Sequence, residues 1–267
     1  MWGALIGDGV GSVYEFHNDA ATEDFDLYNP AFHFTDDSVM TLAVMDIVKQ
    51  GISNDKKKTV DCFRKWGRRY PGAGYGRSFY KWLMDEDYYI NESYGNGAAM
   101  RISPVGWAAN SEAEVKKLSA EVTGLSHHHP EGLKGAEVTA MMIYLARKKK
   151  SKSDLLSYAK KNYRLYSSFA ELKASNHGHG LEICQVSVPQ ALSAFFITNS
   201  FDECLRAMVL AGGDTDTTAA IACSIAEAFY GESDSKLASM ALAGFAQDPE
   251  AIELLTSASS KKLFHEK

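Results

Sequence analysis

Apolar residues recur three and four residues apart along most of the chain, which is the spacing of amphipathic helices. Such a pattern follows Asp36-Asp37-Ser38, and it returns after Ser111, where Glu114 completes the spacing of a capping box. Ser153-Asp154 predicts a further N-cap, and residues 201–210 and 217–229 predict two more helices. Runs of β-branched residues are short and rarely alternate with polar ones. The pattern therefore predicts an all-α, multi-helix globule.

The linkers between these predicted helices are short, and no repeat or low-complexity segment divides the chain. We therefore expect residues 1–267 to form a single domain. A hydrophobic fraction of 45% and a charged fraction of 23% are ordinary for a protein with a buried core. The cysteines are far apart and form no CxxC pair, which disfavours a thiolate zinc site and predicts buried free thiols.

The formal net charge of −6 disfavours a general nucleic-acid binder, which would carry a basic face. No basic segment followed by an apolar stretch marks a signal peptide, and no apolar run approaches the roughly 20 residues that span a bilayer. We expect a cytoplasmic protein without a membrane partner, and a monomer is the starting expectation.

Residues 3–12 combine four glycines with helical apolar spacing. In a helix, each internal glycine costs roughly 0.5–1 kcal/mol relative to alanine. Such a cost suggests close approach by another backbone or by a ligand, although a glycine-rich loop remains the alternative. No GxGxxG follows a predicted strand, so a dinucleotide-binding fold is not supported.

Two acidic clusters each precede an apolar helix: Thr35-Asp36-Asp37-Ser38 and Asp214-Thr215-Asp216-Thr217. Taken singly, each is explained by helix capping. If the two segments meet, their carboxylates would raise one another's pKa in a partly dry site, and divalent cations would remove the conflict. Oxygen ligands suit Mg²⁺ or Mn²⁺, whereas the spacing of an EF-hand calcium loop is absent.

Asp214-Thr215-Asp216 also matches the short DxD pattern of sugar-nucleotide transferases. That pattern recurs by chance, and it usually follows strands of an α/β domain. Here a predicted helix follows it, and strand signals are few. Glu15, considered alone, is more typical of a surface residue.

Several segments together resemble a known family, the ADP-ribosylglycohydrolases. GALIGDGVGSVYEF, FTDDSVM and AGGDTDT are similar, in this order, to the family's metal-site motifs. Residues 93–107, 126–140 and 184–192 resemble its glycine-asparagine loop, its histidine-bearing segment and its Val-Pro loop. The resemblance runs from about Gly3 to Gly231, which is most of the chain.

The resemblance implies an all-α fold with a central cleft that holds two Mg²⁺ or Mn²⁺ ions. It implies cleavage of the bond between ADP-ribose and an acceptor. The implied metal ligands are Thr35, Asp36, Asp37, Asp214, Asp216 and Thr217. The candidates for activating a water molecule are Glu15, Asp37 and Asp216. The implied substrate-binding residues are Ser93, Tyr94, Gly95, Asn96, Gly97 and His127.

Three positions depart from the usual family pattern: Ser38, Ala98 and Cys223. None of them removes an implied metal ligand. A catalytically inactive ADP-ribose-binding or structural member is the alternative to a hydrolase, and the retained ligands favour the hydrolase. Tyr94 is expected either to stack on adenine or to pack in the core.

Overall fold

The computed structural model describes residues 1–17, 21–176, 179–231 and 234–259. Within these residues the regular elements are fifteen α-helices, and isolated bridges at Glu92–His127 and Gly95–Ile183 are the β-pairings. The prediction of an all-α fold is confirmed. The helices are α1 (Gly3–Gly11), α2 (Asp36–Gln50), α3 (Lys56–Arg69), α4 (Arg77–Met84), α5 (Gly97–Met100), α6 (Ser103–Ala108), α7 (Glu112–Thr123), α8 (Pro130–Arg147), α9 (Lys152–Asn162), α10 (Phe169–Ser175), α11 (Cys184–Ile197), α12 (Phe201–Ala211), α13 (Thr215–Tyr230), α14 (Ser235–Gly244) and α15 (Pro249–Ser259).

Helix α7 begins where its sequence predicts. The Ser111 hydroxyl accepts a hydrogen bond from the N–H of Glu114, as an N-cap does. The Glu114 carboxylate accepts from the N–H of Asn110, one residue before the cap. The predicted helix start at Ser111 is therefore correct, with the return bond of the capping box shifted by one residue.

The predicted N-cap at Ser153 is wrong, because α9 begins at Lys152 and Ser151 is its cap. Ser151 accepts from the N–H of Asp154, and the Asp154 carboxylate accepts in turn from the N–H of Ser151. This reciprocal pair satisfies two backbone donors at once, so it fixes the helix start two residues earlier.

The glycines of α1 allow it to pack backbone to backbone against α13. A Cβ atom added at Gly3, Gly7 or Gly11 would lie 2.3, 2.3 or 2.4 Å from a carbonyl oxygen of α13. The whole of α1 is buried, and its first N–H groups, from Trp2 and Gly3, donate to the carboxylate of Glu227 on α13. The glycine-rich segment is therefore a helix. At three of its four glycines the close neighbour is another backbone, and at Gly9 it is the ring of Phe32.

The core surrounds α8 and α13, whose residues are buried along nearly their whole length. Helix α13 starts two residues before its predicted start at Thr217 and ends one residue beyond Phe229. The four cysteines are all buried and free, as expected. In the described residues, no helix is both long and apolar enough to cross a membrane.

Candidate active site

Asp8 on α1 is fully buried and organises the start of α2, a role that sequence reasoning missed. Its carboxylate accepts from the Thr35 N–H at 2.9 Å and the Thr35 hydroxyl at 2.8 Å. It also accepts from the N–H of Ser38 at 3.0 Å and from the Ser38 hydroxyl. One side chain thus satisfies two backbone donors of the α2 N-terminus and fixes the segment that carries Asp36 and Asp37. The available signal was an aspartate inside an otherwise apolar and glycine-rich helix.

Asp37 lies in the first turn of α2 and points toward α13. Its Oδ2 accepts from the Thr217 hydroxyl at 3.2 Å and lies 3.3 Å from the Thr35 hydroxyl, whose single proton is directed to Asp8 at 2.8 Å. Its Oδ1 is buried and has no hydrogen-bond partner among the described residues. Two segments that are 180 positions apart in sequence therefore meet at this carboxylate.

The start of α13 carries the second acidic cluster. Gly212 and Gly213 lead into it with φ angles of 79° and 83°, in the region that favours glycine. The Asp214 carboxylate accepts from the side-chain amide of Asn96 at 2.7 Å. Asp216 accepts from the N–H of Thr217 at 2.8 Å. These bonds orient the cluster and join it to the glycine-asparagine loop.

Glu15 follows α1 and closes the cluster from a third direction. Carboxylate oxygens of Glu15, Asp214 and Asp216 all lie within 4.8 Å of one another. The loop of Glu15 is tied to the start of α13, because the N–H of Phe16 donates to the Gly213 carbonyl at 2.8 Å. The Glu15 side chain is only partly buried, and no described residue donates a hydrogen bond to its carboxylate.

Five carboxylates of the site, on Asp8, Glu15, Asp36, Asp37 and Asp214, have raised pKa values. Burial is the largest cause for Asp36, Asp37 and Asp214, and the nearby charge of Asp216 is the second; both hold these pKa values well above the usual range. Burial, followed by the charge of Asp216, raises the pKa of Asp8 and that of Glu15 to about 7. A buried cluster that resists ionisation in this way is typical of a functional site.

The residues present fit divalent cations. The buried, partnerless Oδ1 of Asp37 is costly to leave without a ligand. Carboxylate and hydroxyl oxygens are the donors that Mg²⁺ and Mn²⁺ prefer, and a cation would reverse the mutual repulsion of the acids. The structure brings together the predicted ligands of both segments, with Thr35, Asp37 and Thr217 joined by hydrogen bonds.

The loop at residues 93–97 lies beside the acidic cluster. Asn96 spans the two features, because its amide also donates to the Ser187 hydroxyl at 2.9 Å. Backbone N–H groups beside the start of a helix suit anionic phosphate, and the implied substrate-binding residues include this loop. Two of them are used within the protein: Gly95 donates to the Ser93 hydroxyl, and Asn96 donates to the Glu182 carbonyl. The loop therefore offers fewer free backbone donors than its glycines suggest.

Tyr94 and His127 both lie at the glycine-asparagine loop, but Tyr94 is exposed and His127 is buried. The Tyr94 side chain is 46% exposed, which excludes packing in the core, and its ring lies 5.1 Å from the ring of His129. His127 is buried at 3% exposure, next to Phe79. A Cβ atom added at Gly97 would lie 3.1 Å from its Nε2. Tyr94 is thus exposed and His127 buried, and Asn96 of the same loop bonds Asp214 of the acidic cluster.

Comparison with known proteins agrees with this architecture. The family model described as ADP-ribosylglycohydrolase matches residues 1–260. ADP-ribosylhydrolase ARH3 of Mus musculus is 27% identical over 86% of this chain and 82% of its own length. The ADP-ribosyl-[dinitrogen reductase] glycohydrolase of Rhodospirillum rubrum is 24% identical over 87% of this chain and 84% of its own length.

A solved structure titled ADP-ribosylglycohydrolase-related protein complex has the same fold, with a TM-score of 0.72 at 23% identity. It covers 97% of this chain, and this chain covers 95% of it. The family model extends over all three acidic segments and the glycine-asparagine loop. The chain therefore belongs to the ADP-ribosylglycohydrolase family and is a glycohydrolase.

Proposed function

We propose that this chain is a metal-dependent hydrolase that cleaves the glycosidic bond between ADP-ribose and an acceptor. The observation that carries the proposal is the meeting of α2, α13 and the Glu15 loop at one acidic cluster, beside a glycine-asparagine loop. The similar proteins from Mus musculus and Rhodospirillum rubrum are named as an ADP-ribosylhydrolase and an ADP-ribosyl glycohydrolase, which supports cleavage of the bond to ADP-ribose.

Two divalent cations, Mg²⁺ or Mn²⁺, would be held from two sides. The N-terminal end of α2 with its cap would supply Thr35, Asp36 and Asp37. The N-terminal end of α13 with its cap would supply Asp214, Asp216 and Thr217. When bound, such ions hold ribose hydroxyls and lower the pKa of a water molecule. Asp8 would keep the α2 ligands in place, because its bonds to Thr35 and Ser38 fix that segment.

Among the candidate catalytic carboxylates, Glu15 is the one best placed to move a proton. Oδ2 of Asp37 already accepts from the Thr217 hydroxyl, and Asp216 accepts from the N–H of Thr217. The Glu15 carboxylate is partly exposed and 4.8 Å or less from both aspartates of α13. We infer that it takes the proton of the attacking water as the water oxygen bonds to the anomeric carbon. The bond to the acceptor breaks with its electron pair on the acceptor atom, and that atom takes up one proton in return, so water is divided between ADP-ribose and the acceptor.

The substrate surface would hold the remainder of ADP-ribose. Tyr94 offers an exposed ring for stacking on the base, as aromatic side chains commonly do. The side-chain amide of Asn96 donates to Asp214 and to Ser187, so it links the substrate loop to a proposed metal ligand. Ser93, Gly95, Gly97 and His127 complete the proposed surface around the diphosphate and ribose.

The test is chromatography of released ADP-ribose from a panel that carries it on arginine, on serine and on a nucleic-acid end. We expect release from at least one panel member with Mg²⁺ or Mn²⁺, and loss of release with a chelator. Asp37→Asn and Glu15→Gln should abolish it. Asp46→Asn is the control, because Asp46 is buried on the same helix but pairs with Lys65 away from the cluster.

Two outcomes would replace the proposal. Tight binding of ADP-ribose without release from any panel member would identify a binding protein that lacks hydrolase activity. Transfer of the sugar to an acceptor other than water would identify a transferase, the activity suggested by the Asp214-Thr215-Asp216 pattern.

A further inference from the structure

Arg101 lies between α5 and α6, and its side chain is completely buried. Among the described residues, no carboxylate lies within ion-pair distance of its guanidinium. The guanidinium instead lies over the rings of Phe63 and Phe79, at 4.6 and 5.0 Å from their centroids. Aromatic faces attract such a cation, but a buried charge without a hydrogen-bonded counter-ion is costly to keep. Burial lowers the pKa of Arg101, and the charge of Asp36 offsets this only in part. The position therefore calls for a role beyond packing.

The polar contacts of Arg101 lead to His127. One terminal nitrogen, Nη2, donates to the Ser126 hydroxyl at 2.6 Å and to His127 Nδ1 at 3.1 Å. The Ser126 hydroxyl itself lies 3.0 Å from the same Nδ1. A guanidinium can only donate, so Nδ1 must accept, and a neutral imidazole then carries its proton on Nε2. Burial, and secondly the charge of Arg101, hold the pKa of His127 well below its usual value, so the ring is neutral at pH 7.

The Nε2 edge of His127 faces the glycine loop. A Cβ atom added at Gly97 would lie 3.1 Å from Nε2, and one added at Gly95 would lie 3.8 Å from it. Hydrogen bonds within the described residues use Nδ1 of this ring and leave Nε2 without an acceptor. The N–H groups of Gly95 and Asn96 already donate to acceptors within the protein. The Nε2–H of His127 is therefore a free hydrogen-bond donor beside a loop that has few other free donors.

We propose that Arg101 is a positioning residue that fixes the proton of His127 on Nε2, so that a neutral N–H faces the Gly95–Gly97 loop and the diphosphate bound there. The part that concerns the diphosphate rests on the proposed function. The part that concerns the proton does not, because it describes the protein without ligand.

Ser126 does not fix the tautomer by itself. A hydroxyl can donate to Nδ1 or accept from an Nδ1–H, so it is compatible with either arrangement. Arg101 removes this freedom because its Nη2 donates to Nδ1, and an Nδ1–H could not accept that bond. Its bond to the Ser126 oxygen holds the hydroxyl beside the same nitrogen.

The test is ¹⁵N NMR of the histidine rings in the ligand-free full chain, with His127 assigned by its loss in His127→Gln. In the wild type, Nδ1 should be pyridine-like and Nε2 pyrrole-like. In Arg101→Met the two signals should move toward each other as the Nδ1–H tautomer becomes populated. Ser126→Ala should keep the wild-type pattern, because Arg101 still donates to Nδ1.

Arg64→Met is the matched control. Arg64 is also buried, lies over the ring of Trp82 at 5.8 Å and donates to the Asp87 carbonyl, but it does not contact His127. Its removal should leave the His127 signals unchanged. A pyrrole-like Nδ1 in the wild type would overturn the proposal even if Arg101→Met failed to fold. An unchanged tautomer in a folded Arg101→Met protein would also overturn it.

The consequence for binding is measured by calorimetry with ADP-ribose and Mg²⁺. Equal population of the two tautomers would weaken binding about two-fold, and looser ring orientation would add to this loss. We expect a loss of roughly two- to ten-fold in Arg101→Met and none in Arg64→Met. If the wild type bound no ADP-ribose while the NMR results held, the proposed function would fail and the role of Arg101 in the ligand-free protein would stand.

Discussion

Replacing Gly11 by alanine should damage the active site through the backbone of α13. A Cβ atom at Gly11 would lie 2.4 Å from the Thr215 carbonyl oxygen and 2.5 Å from the Asp216 Cα. Ordinary contact begins at 3.4 Å, so one of the two helices must shift by about 1 Å. The contact lies between α1 and the start of α13, so a shift of either helix changes the position of Asp214 and Asp216, the proposed metal ligands, relative to Asp8 on α1.

The size of the effect follows from this overlap. Forcing a methyl group into a packed site costs about 1–3 kcal/mol, and alanine returns up to about 1 kcal/mol through its better helix propensity. A net loss of about 1–2 kcal/mol lowers the melting temperature by roughly 2–8 °C in a domain near this size. A displacement of about 1 Å at catalytic groups can reduce the rate by about 100-fold.

Gly3→Ala is the matched control. Its Cβ atom would lie 2.3 Å from the Cys223 carbonyl oxygen, which is the same clash on the same pair of helices. Eight residues of helix separate Gly3 from Gly11, which is about 12 Å. We expect both variants to melt at similarly lowered temperatures, but only Gly11→Ala to lose most of its ADP-ribose release and Mg²⁺ affinity.

Thermal unfolding in saturating Mg²⁺ and the rate of ADP-ribose release give the two readouts. If both variants melted like the wild type, the close contact between α1 and α13 would be absent in solution. If Gly3→Ala lost as much activity as Gly11→Ala, the loss would follow stability, and the positioning of Asp216 by α1 would be refuted.

Three further predictions follow from the charges and surfaces of the site. Mg²⁺ at 100 times its dissociation constant should stabilise the protein by about 2.7 kcal/mol, or roughly 5–10 °C in melting temperature. Asp37→Asn should largely abolish this shift and Asp46→Asn should retain it; no shift in the wild type would contradict the metal site. In chelator, stability should fall as pH rises from about 4 to about 7, because the folded pKa values of Asp8 and Glu15 are about 7 against 3.8 and 4.5 when unfolded, so the folded state binds more protons. Denaturant titrations across this range check the sign, and stability that rises with pH would be inconsistent with a buried acidic cluster. Tyr94→Ala should weaken ADP-ribose binding in calorimetry by roughly 5- to 100-fold, because stacking on a base is worth about 1–3 kcal/mol. Tyr88→Ala, which removes a ring of similar exposure, should leave the affinity unchanged, and equal effects of the two variants would place the base elsewhere.

The acidic clusters could be found from sequence because the neighbouring carboxylates and the helix start beside them are both visible within a few consecutive residues. Asp36-Asp37 and Asp214-Thr215-Asp216 each stand next to a helix start, so a few consecutive residues carry the whole pattern. The all-α fold was predictable for a similar reason, since apolar spacing is a local property. Ser153 shows the limit of local reading. Ser151 and Ser153 both precede apolar residues, and the reach of Asp154 back to Ser151 decides between them.

Asp8 and Arg101 could not be identified from sequence. Asp8 functions through Thr35 and Ser38, which lie 27 and 30 positions away, and nothing in its own segment indicates that contact. Arg101 looks like any helix-end cation until its burial and its bond to His127 Nδ1 are known. In both cases the role belongs to a pair of side chains, and the pairing is a property of the fold.

The backbone contact between α1 and α13 also constrains how the chain folds. Its partners lie more than 200 positions apart, as do the Thr215 hydroxyl and the Gly11 carbonyl that it bonds. Contacts of such sequence separation form late, because the entropy of closing a long loop must be overcome first. During synthesis from the N-terminus, α1 is made long before the helix that covers its glycines. The proposed metal site therefore cannot assemble until α13 has been synthesised, and metal binding would report on the last stage of folding.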